Sequence, residues 1–245
     1  MFFQAAQTNG QLFCLAFSEY LFNKGENKKM KKIVIILLAL ALTLSMVACG
    51  GSGTDFTVGV CQLMEHDSLD QATQGFKDAL TAALGDSVSF IEQNASGDTA
   101  TCATICNQLV SEEVALILAN ATAALQAAAA ATNSIPVLGT SITEYGVALG
   151  LDDFGGTVGG NVSGTSDLAP LDEQASMLQA WFPEAKNVGL LYCSAEPNSK
   201  YQVDTIKALL EGKGYTCQMF AFADSNDMPA VTNAACEFAD VIYVP

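Results

Sequence analysis

Few side chains in this sequence can do chemistry, and their types are unusual. There is a single histidine, His66, and no arginine; the ten cations are all lysine, set against 26 Asp and Glu. A Ser–His–Asp arrangement could be centred only on His66, and no Gly-x-Ser-x-Gly elbow is present to raise a nucleophile above a sheet. The sequence also contains neither Gly-x-x-x-x-Gly-Lys-Ser/Thr nor Gly-x-Gly-x-x-Gly. What recurs is a polar pair or triplet close behind a short apolar run. Glu65-His66 follow Val58-Gly59-Val60-Cys61, Asn120-Ala121-Thr122 follow Val114–Ala119, and Thr140-Ser141 follow Pro136-Val137-Leu138. Asn198-Ser199 come shortly after the run ending at Tyr192. Such groups hold a small solute by hydrogen bonds. Where they open a helix, its free N–H groups hold a carboxylate without any guanidinium. This is the chemistry of binding.

Each group also has a plainer structural use. Asn120 or Thr122 suits an N-cap, Thr140 and Ser141 a turn, and His66 with Glu65 a surface pair. Asn198 and Ser199, behind Pro197, suit an ordinary helix start. Six cysteines lie in the folded part: Cys61, Cys102, Cys106, Cys193, Cys217 and Cys236. Cys102 and Cys106 are four apart on an expected helix, a poor geometry for a mutual disulfide. The pair also lacks the further ligands that zinc needs. Free, buried thiols are the expected state of all six.

The elements that must position these groups alternate. Phe56–Cys61, Val88–Ile91, Val114–Ala119 and the run from Pro136 read as strands. Between them, Leu69, Ala72, Phe76, Leu80 and Ala83 recur at helical spacing, Thr99–Ser111 carries a second helix, and Thr122–Ala131 is alanine-rich. Gly146–Leu149 reads as one more strand. Residues 150–170 read as a turn-rich, hinge-like connection crowded with Gly155, Gly156, Gly159, Gly160 and Gly164. The alternation then restarts: a helix through Leu171–Phe182, a strand at Val188–Tyr192, a helix through Val203–Leu210, a strand at Tyr215–Phe220, a helix over Asp227–Phe238 and a strand from Val241. Strict strand–helix alternation implies an α/β fold with parallel sheets and helices on both faces. The expected organisation is two doubly wound lobes, residues 54–168 and 169–245, the second one incomplete.

The first 53 residues read as an address. Met30-Lys31-Lys32 opens a basic segment, Ile33–Leu44 is apolar, and Leu44-Ser45-Met46-Val47-Ala48 leads to Cys49. The apolar run from Ile33 to Ala48 is 16 residues, short of the roughly 18–20 a membrane-spanning helix needs. Residues 1–29 are expected to be a spurious leader, 30–48 a lipoprotein signal peptide with Cys49 as the lipidated residue, and 49–53 a flexible tether. Without residues 1–48 the chain keeps 5 Lys against 24 acidic residues, a formal charge of −19. So acidic a chain is ill suited to nucleic acid, whose phosphates need Lys and Arg.

A set of ordered pieces then carries a resemblance. They are Val58-Gly59-Val60-Cys61-Gln62-Leu63-Met64-Glu65-His66 with Leu69-Asp70 and Gly75-Phe76; Gln93–Asp98; Leu116–Thr122; Gly159–Asp167; and Val241–Pro245. In that order the sequence resembles the ABC-transporter substrate-binding lipoproteins of the type I periplasmic-binding fold, in the tryptophan- and aromatic-amino-acid-binding-like group. The resemblance implies two lobes closing on a small solute, probed outside the cytoplasm on a lipid anchor at the bacterial membrane. It also implies ABC permease and ATPase subunits as partners, no cofactor and no enzymatic turnover. Carried over by position, Glu65, His66, Ala121, Thr122, Thr140, Ser141, Asp167, Asn198 and Ser199 would face the cleft. Backbone and hydroxyls near Thr122 and Ser141 would take an α-carboxylate, and a carboxylate such as Glu65 or Asp167 an α-ammonium. Family members continue past the strand that ends here at Pro245, so part of the second lobe is expected to be missing. Two other readings compete: a ligand sensor of the same fold feeding a signalling partner, and an extracytoplasmic hydrolase built around His66.

Overall fold

The structure is a computed structural model that describes residues 56–245. The expected leader, signal peptide, tether and lipidation at Cys49 lie outside the described residues. Among the described residues no helix is long and apolar enough to cross a membrane.

Two parallel sheets follow one another along the chain. The first has the order β2-β1-β3-β4-β5, with β1 at Phe56–Gln62, β2 at Val88–Asn94, β3 at Leu116–Asn120, β4 at Val137–Ile142 and β5 at Val162–Ser166. The second has the order β7-β6-β8, with β6 at Asn187–Cys193, β7 at Thr216–Phe222 and β8 at Val241–Tyr243. Every pairing is parallel, as crossover helices require. The helices are α1 (Asp67–Leu84), α2 (Thr99–Ser111), α3 (Thr122–Ala131), α4 (Tyr145–Leu149), α5 (Leu171–Trp181), α6 (Pro197–Gly212) and α7 (Met228–Phe238). In each sheet the order reverses beside the first strand laid down, which opens a crevice at that strand's carboxyl end.

The central strands are covered on both faces, which explains their unbroken apolar runs. Ile117 and Ala119 of β3 are wholly buried among Leu109, Leu125 and Val137. In the second sheet Val188 and Leu190 pack against Val203, Ile206 and Leu210. Helix α1 is less enclosed than its amphipathic spacing implies. Only Thr73 is buried, and Leu84 stays 39% exposed. The buried contact of α1 is instead polar. Thr73 Oγ1 donates to Gln62 Oε1 at 2.7 Å, and Asn120 Nδ2 donates to Leu69 O at 2.8 Å and Thr73 Oγ1 at 2.9 Å.

Two expectations are corrected around residue 150. Gly146–Leu149 is helical, within α4, and not a strand. The Glu144 carboxylate accepts from Gly146 N at 3.0 Å and Val147 N at 2.6 Å, and Gly150 in the left-handed region (φ 62°) ends the turn. The missing strand is β5, inside the stretch read as a connection. As an edge strand it is largely exposed, so it lacks the apolar signature that marks the buried strands. Gly164 faces Gly139 across the β4–β5 pair. The Tyr145 hydroxyl occupies the space this leaves, donating to Gly139 O at 3.0 Å with Thr165 O at 3.3 Å. A Cβ on either glycine would collide with that hydroxyl.

The six described cysteines are all free. Cys61, Cys102 and Cys106 are buried as expected, but Cys193 and Cys217 are half-buried and Cys236 is exposed. Cys236 sits on α7, whose only buried residue is Ala235, so a small apolar residue there still faces solvent.

Candidate functional site

The carboxyl ends of six strands from both sheets line one cleft of about 340 Å³. The first sheet supplies Leu63 behind β1, Gly97 and Thr99 at the start of α2, Ala121–Ala123 and Gln126 at the start of α3, and Ser141 on β4. The second supplies Cys193, Ala195, Glu196, Pro197 and Asn198 between β6 and α6, and Ala223 and Asp224 behind β7. The volume falls at the low end of small-molecule sites, about 300–1,000 Å³. It suits a single compact solute.

The first-sheet wall is built from unusual backbone. Ala121, between β3 and α3, has φ 85° and ψ 160°, a region populated almost only by glycine. It is held there by its N–H donating to Thr140 O at 3.0 Å. Ser141 is also left-handed, with φ 56°. Asn120, a candidate N-cap from sequence, turns its amide to α1 instead, and α3 begins with no side-chain cap. The first N–H groups of α3 therefore meet the cleft without a protein side chain in competition. Asn120 Oδ1, wholly buried, has no hydrogen-bond partner.

The opposite wall is acidic. Glu196 Oε2 accepts from Ser199 Oγ at 2.7 Å, and Asp224 Oδ1 accepts from Asn226 N at 2.7 Å. Each carboxylate keeps its second oxygen outside these bonds. No lysine lines the cleft. At its edge Asp98 caps α2, accepting from Ala100 N at 3.0 Å and Thr101 Oγ1 at 2.7 Å. The Thr101 hydroxyl, and then the Ala100 N–H, hold its carboxyl below the usual range.

Of the nine residues singled out from sequence, Ala121, Thr122, Ser141 and Asn198 line this cleft. The other five are placed elsewhere. His66 is the N-cap of α1, its Nδ1 accepting from Ser68 N at 3.2 Å, with Glu65 exposed beside it. Thr140 is half-buried within β4 and offers its carbonyl to Ala121. Asp167 is exposed behind β5, its N–H bonded to Ile142 O at 3.0 Å. Ser199 is buried and supports Glu196 from behind. Sequence reading passed over Thr99, Gln126, Cys193, Glu196 and Asp224 as cleft residues. Glu196 lies two residues before Asn198, in the same loop behind β6. Asp224 carried the general signal of a polar residue just behind an apolar strand.

Two parallel α/β sheets whose strand carboxyl ends line one cleft are the arrangement of the type I periplasmic-binding fold. The comparisons agree. The chain belongs to the ABC transporter substrate-binding proteins, whose family model matches residues 57–245. It is 34% identical over 236 residues to a tyrosine-binding protein of Clostridioides difficile strain R20291, covering 89% of this chain and 68% of that protein. It overlays with a TM-score of 0.73, at 36% identity, on an ABC domain from Streptococcus pneumonia in complex with L-Trp, covering 78% of this chain and 65% of that one. It overlays with a TM-score of 0.57, at 34% identity, on the ligand-free, open structure of a substrate-binding protein with adhesive properties from Clostridium difficile, again covering 78% and 65%. The chain thus spans about two thirds of the length of these solved relatives.

Proposed function

We propose that this chain is the solute-receiving part of an extracytoplasmic lipoprotein that delivers an L-amino acid, of aromatic type, to the permease and ATPase of an ABC importer, without turnover. The observation that carries this reading is the division of charge across the cleft. The uncapped start of α3, with the hydroxyls of Thr122 and Ser141, attracts an anion. Glu196 and Asp224 face it from the other sheet. An α-amino acid carries both charges on adjacent groups and matches that division. On this reading the α-carboxylate takes the α3 N–H groups, and the α-ammonium takes Glu196 or Asp224 in place of Glu65 or Asp167. Leu63, Ala123, Pro197 and Ala223 supply apolar wall for the side chain.

The named ligands of the two relatives, tyrosine and L-Trp, support the aromatic assignment. The lipid anchor rests on the segment ending at Cys49.

A thermal-shift screen of the full-length protein against L-amino acids, sugars and nucleosides tests the reading. A ligand at 100 times its Kd stabilises the native state by about 2.7 kcal/mol, which raises the midpoint by roughly 5–10 °C for a domain of this size. Aromatic L-amino acids are expected to give the largest shift. A full screen with no response to any amino acid overturns it.

A further inference from the structure

Beyond Thr122, helix α3 carries one polar side chain, Gln126; the rest of Thr122–Ala131 is alanine and Leu125. Gln126 stands four residues after Thr122, on the same face of the helix, and both line the cleft. Its Nε2 donates to Ala148 O at 2.8 Å. Ala148 lies in the last turn of the short helix α4, where a carbonyl has no partner within the helix. The bond fixes the amide, because turning it over would set two oxygens face to face. Gln126 Oε1 accepts no hydrogen bond among the described residues. Nor is it sealed in the core, where the unpartnered buried oxygen is Asn120 Oδ1. The Gln126 oxygen is therefore a neutral acceptor, held in place and open to the cleft.

The other polar groups of the cleft differ from it. The hydroxyls of Thr99, Thr122 and Ser141 rotate to donate or accept, and the first N–H groups of α3 only donate. Glu196 and Asp224 accept, but as charges on the opposite wall. The first-sheet wall thus presents donors at the start of α3 and a fixed acceptor one turn along, about 6 Å by helix geometry. An α-carboxylate held at the donors leaves the far end of the solute's side chain for the acceptor.

We propose that Gln126 Oε1 sorts aromatic L-amino acids by whether the ring carries a hydrogen-bond donor, taking the phenolic O–H of tyrosine or the indole N–H of tryptophan over phenylalanine. The inference rests on the proposed function and goes one step further, from the class of solute to the group that discriminates within it. A ring without a donor strips water from the Gln126 oxygen and leaves that acceptor unpaired. A ring with a donor replaces the lost water. A site built to pair with a substrate O–H or N–H rejects the analogue that lacks it for this reason.

Calorimetric titration of the full-length protein tests this with two pairs of solutes matched in size. L-Tyrosine is set against para-fluoro-L-phenylalanine, and L-tryptophan against benzothienyl-L-alanine, in which sulfur replaces the indole N–H. In at least one pair the donor-bearing member is expected to bind with a Kd lower by on the order of tenfold. Gln126→Met keeps the length of the side chain without its amide and is expected to erase that difference. A merely structural role for Gln126 would weaken both members of a pair alike and leave their ratio unchanged. Equal affinities within both wild-type pairs, or a ratio that survives in Gln126→Met, overturn the proposal. If that variant does not fold, Gln126→Leu takes its place, and equal wild-type affinities overturn the proposal as before. Binding of all four solutes alike counts against this inference alone. Binding of none overturns the proposed function, and this inference with it.

Discussion

Ala121→Gly separates strain from packing at the cleft. Ala121 stands at φ 85° and ψ 160°, where a side chain costs about 1–3 kcal/mol. Glycine removes that cost but loses more backbone entropy on folding, about 0.5–1 kcal/mol. Ala121 is only half-buried, so little packing goes with its methyl. The balance is a gain of about 0.5–2 kcal/mol in stability. Urea unfolding of the full-length protein reads this as a higher midpoint at unchanged m-value. Affinity is expected to move the other way. Alanine holds the α3 N–H groups in one direction, and glycine releases them at an entropic cost on binding. A Kd two- to fivefold weaker follows from about 0.5–1 kcal/mol. A variant that is less stable, or equally stable, refutes the claim of strain. A more stable variant with unchanged affinity refutes the claim that the strain aims the helix.

Further outcomes follow from other residues. Gly164→Ala, which sets a Cβ against the Tyr145 hydroxyl and the Gly139 backbone, is expected to cost about 2 kcal/mol or more in urea unfolding. Burial, and then the charge of Asp167, push Tyr145 up to about 12; since the unfolded group titrates near 10, its stability contribution is whole below pH 10 and lost as pH rises to about 12, which a stability–pH profile of Tyr145→Phe against wild type checks. Asp240 accepts from Lys186 N and Asn187 N, the latter bond first holding its carboxyl below 3.8, so its contribution is present above that pH and lost as pH falls through the lower folded value; Asp240→Asn is expected to be less stable than wild type at neutral pH and to lack that acid-dependent fall in a stability–pH profile. Glu196→Gln is expected to weaken binding of the amino acid with the largest thermal shift two- to fivefold; the same ligand should slow alkylation of Cys193, in the cleft, and leave Cys236 unchanged.

The elements legible in the sequence were those whose burial imposed a pattern. Val114–Ala119 is apolar without break because β3 is covered on both faces, and Thr99–Ser111 and Thr122–Ala131 are helices with the bounds the sequence implied. The failures share a cause. β5 is an exposed edge strand of Val, Ser, Gly and Thr, so no apolar run announces it. Gly146–Leu149 is apolar and short enough to pass for a strand, and its helicity depends on the Glu144 cap outside the run. In the site, position behind a strand brought Ala121, Thr122, Ser141 and Asn198 into the cleft. The same rule could not separate Glu65 and His66 from them, because the loop after β1 carries its polar end away to cap α1. Nor could it distinguish Ser199, turned inward to support Glu196, from a residue facing solute.

The missing arginine connects these observations. A cleft with guanidinium on one wall can hold a bare anion from one side, since a bidentate pair is strong by itself. Here that wall offers only backbone dipoles and hydroxyls, equivalent to about half a charge at a helix start. The facing wall adds two carboxylates, Glu196 and Asp224, which repel the same anion. A free carboxylate or phosphate is thus attracted weakly by one wall and repelled by the other, and a simple cation meets the reverse. On the proposed reading only a zwitterion is attracted by both, and it gains the second attraction only when the two walls are close. Selection against single charges and closure around the solute then have one physical origin, which the substitution of arginine at Thr122 would remove.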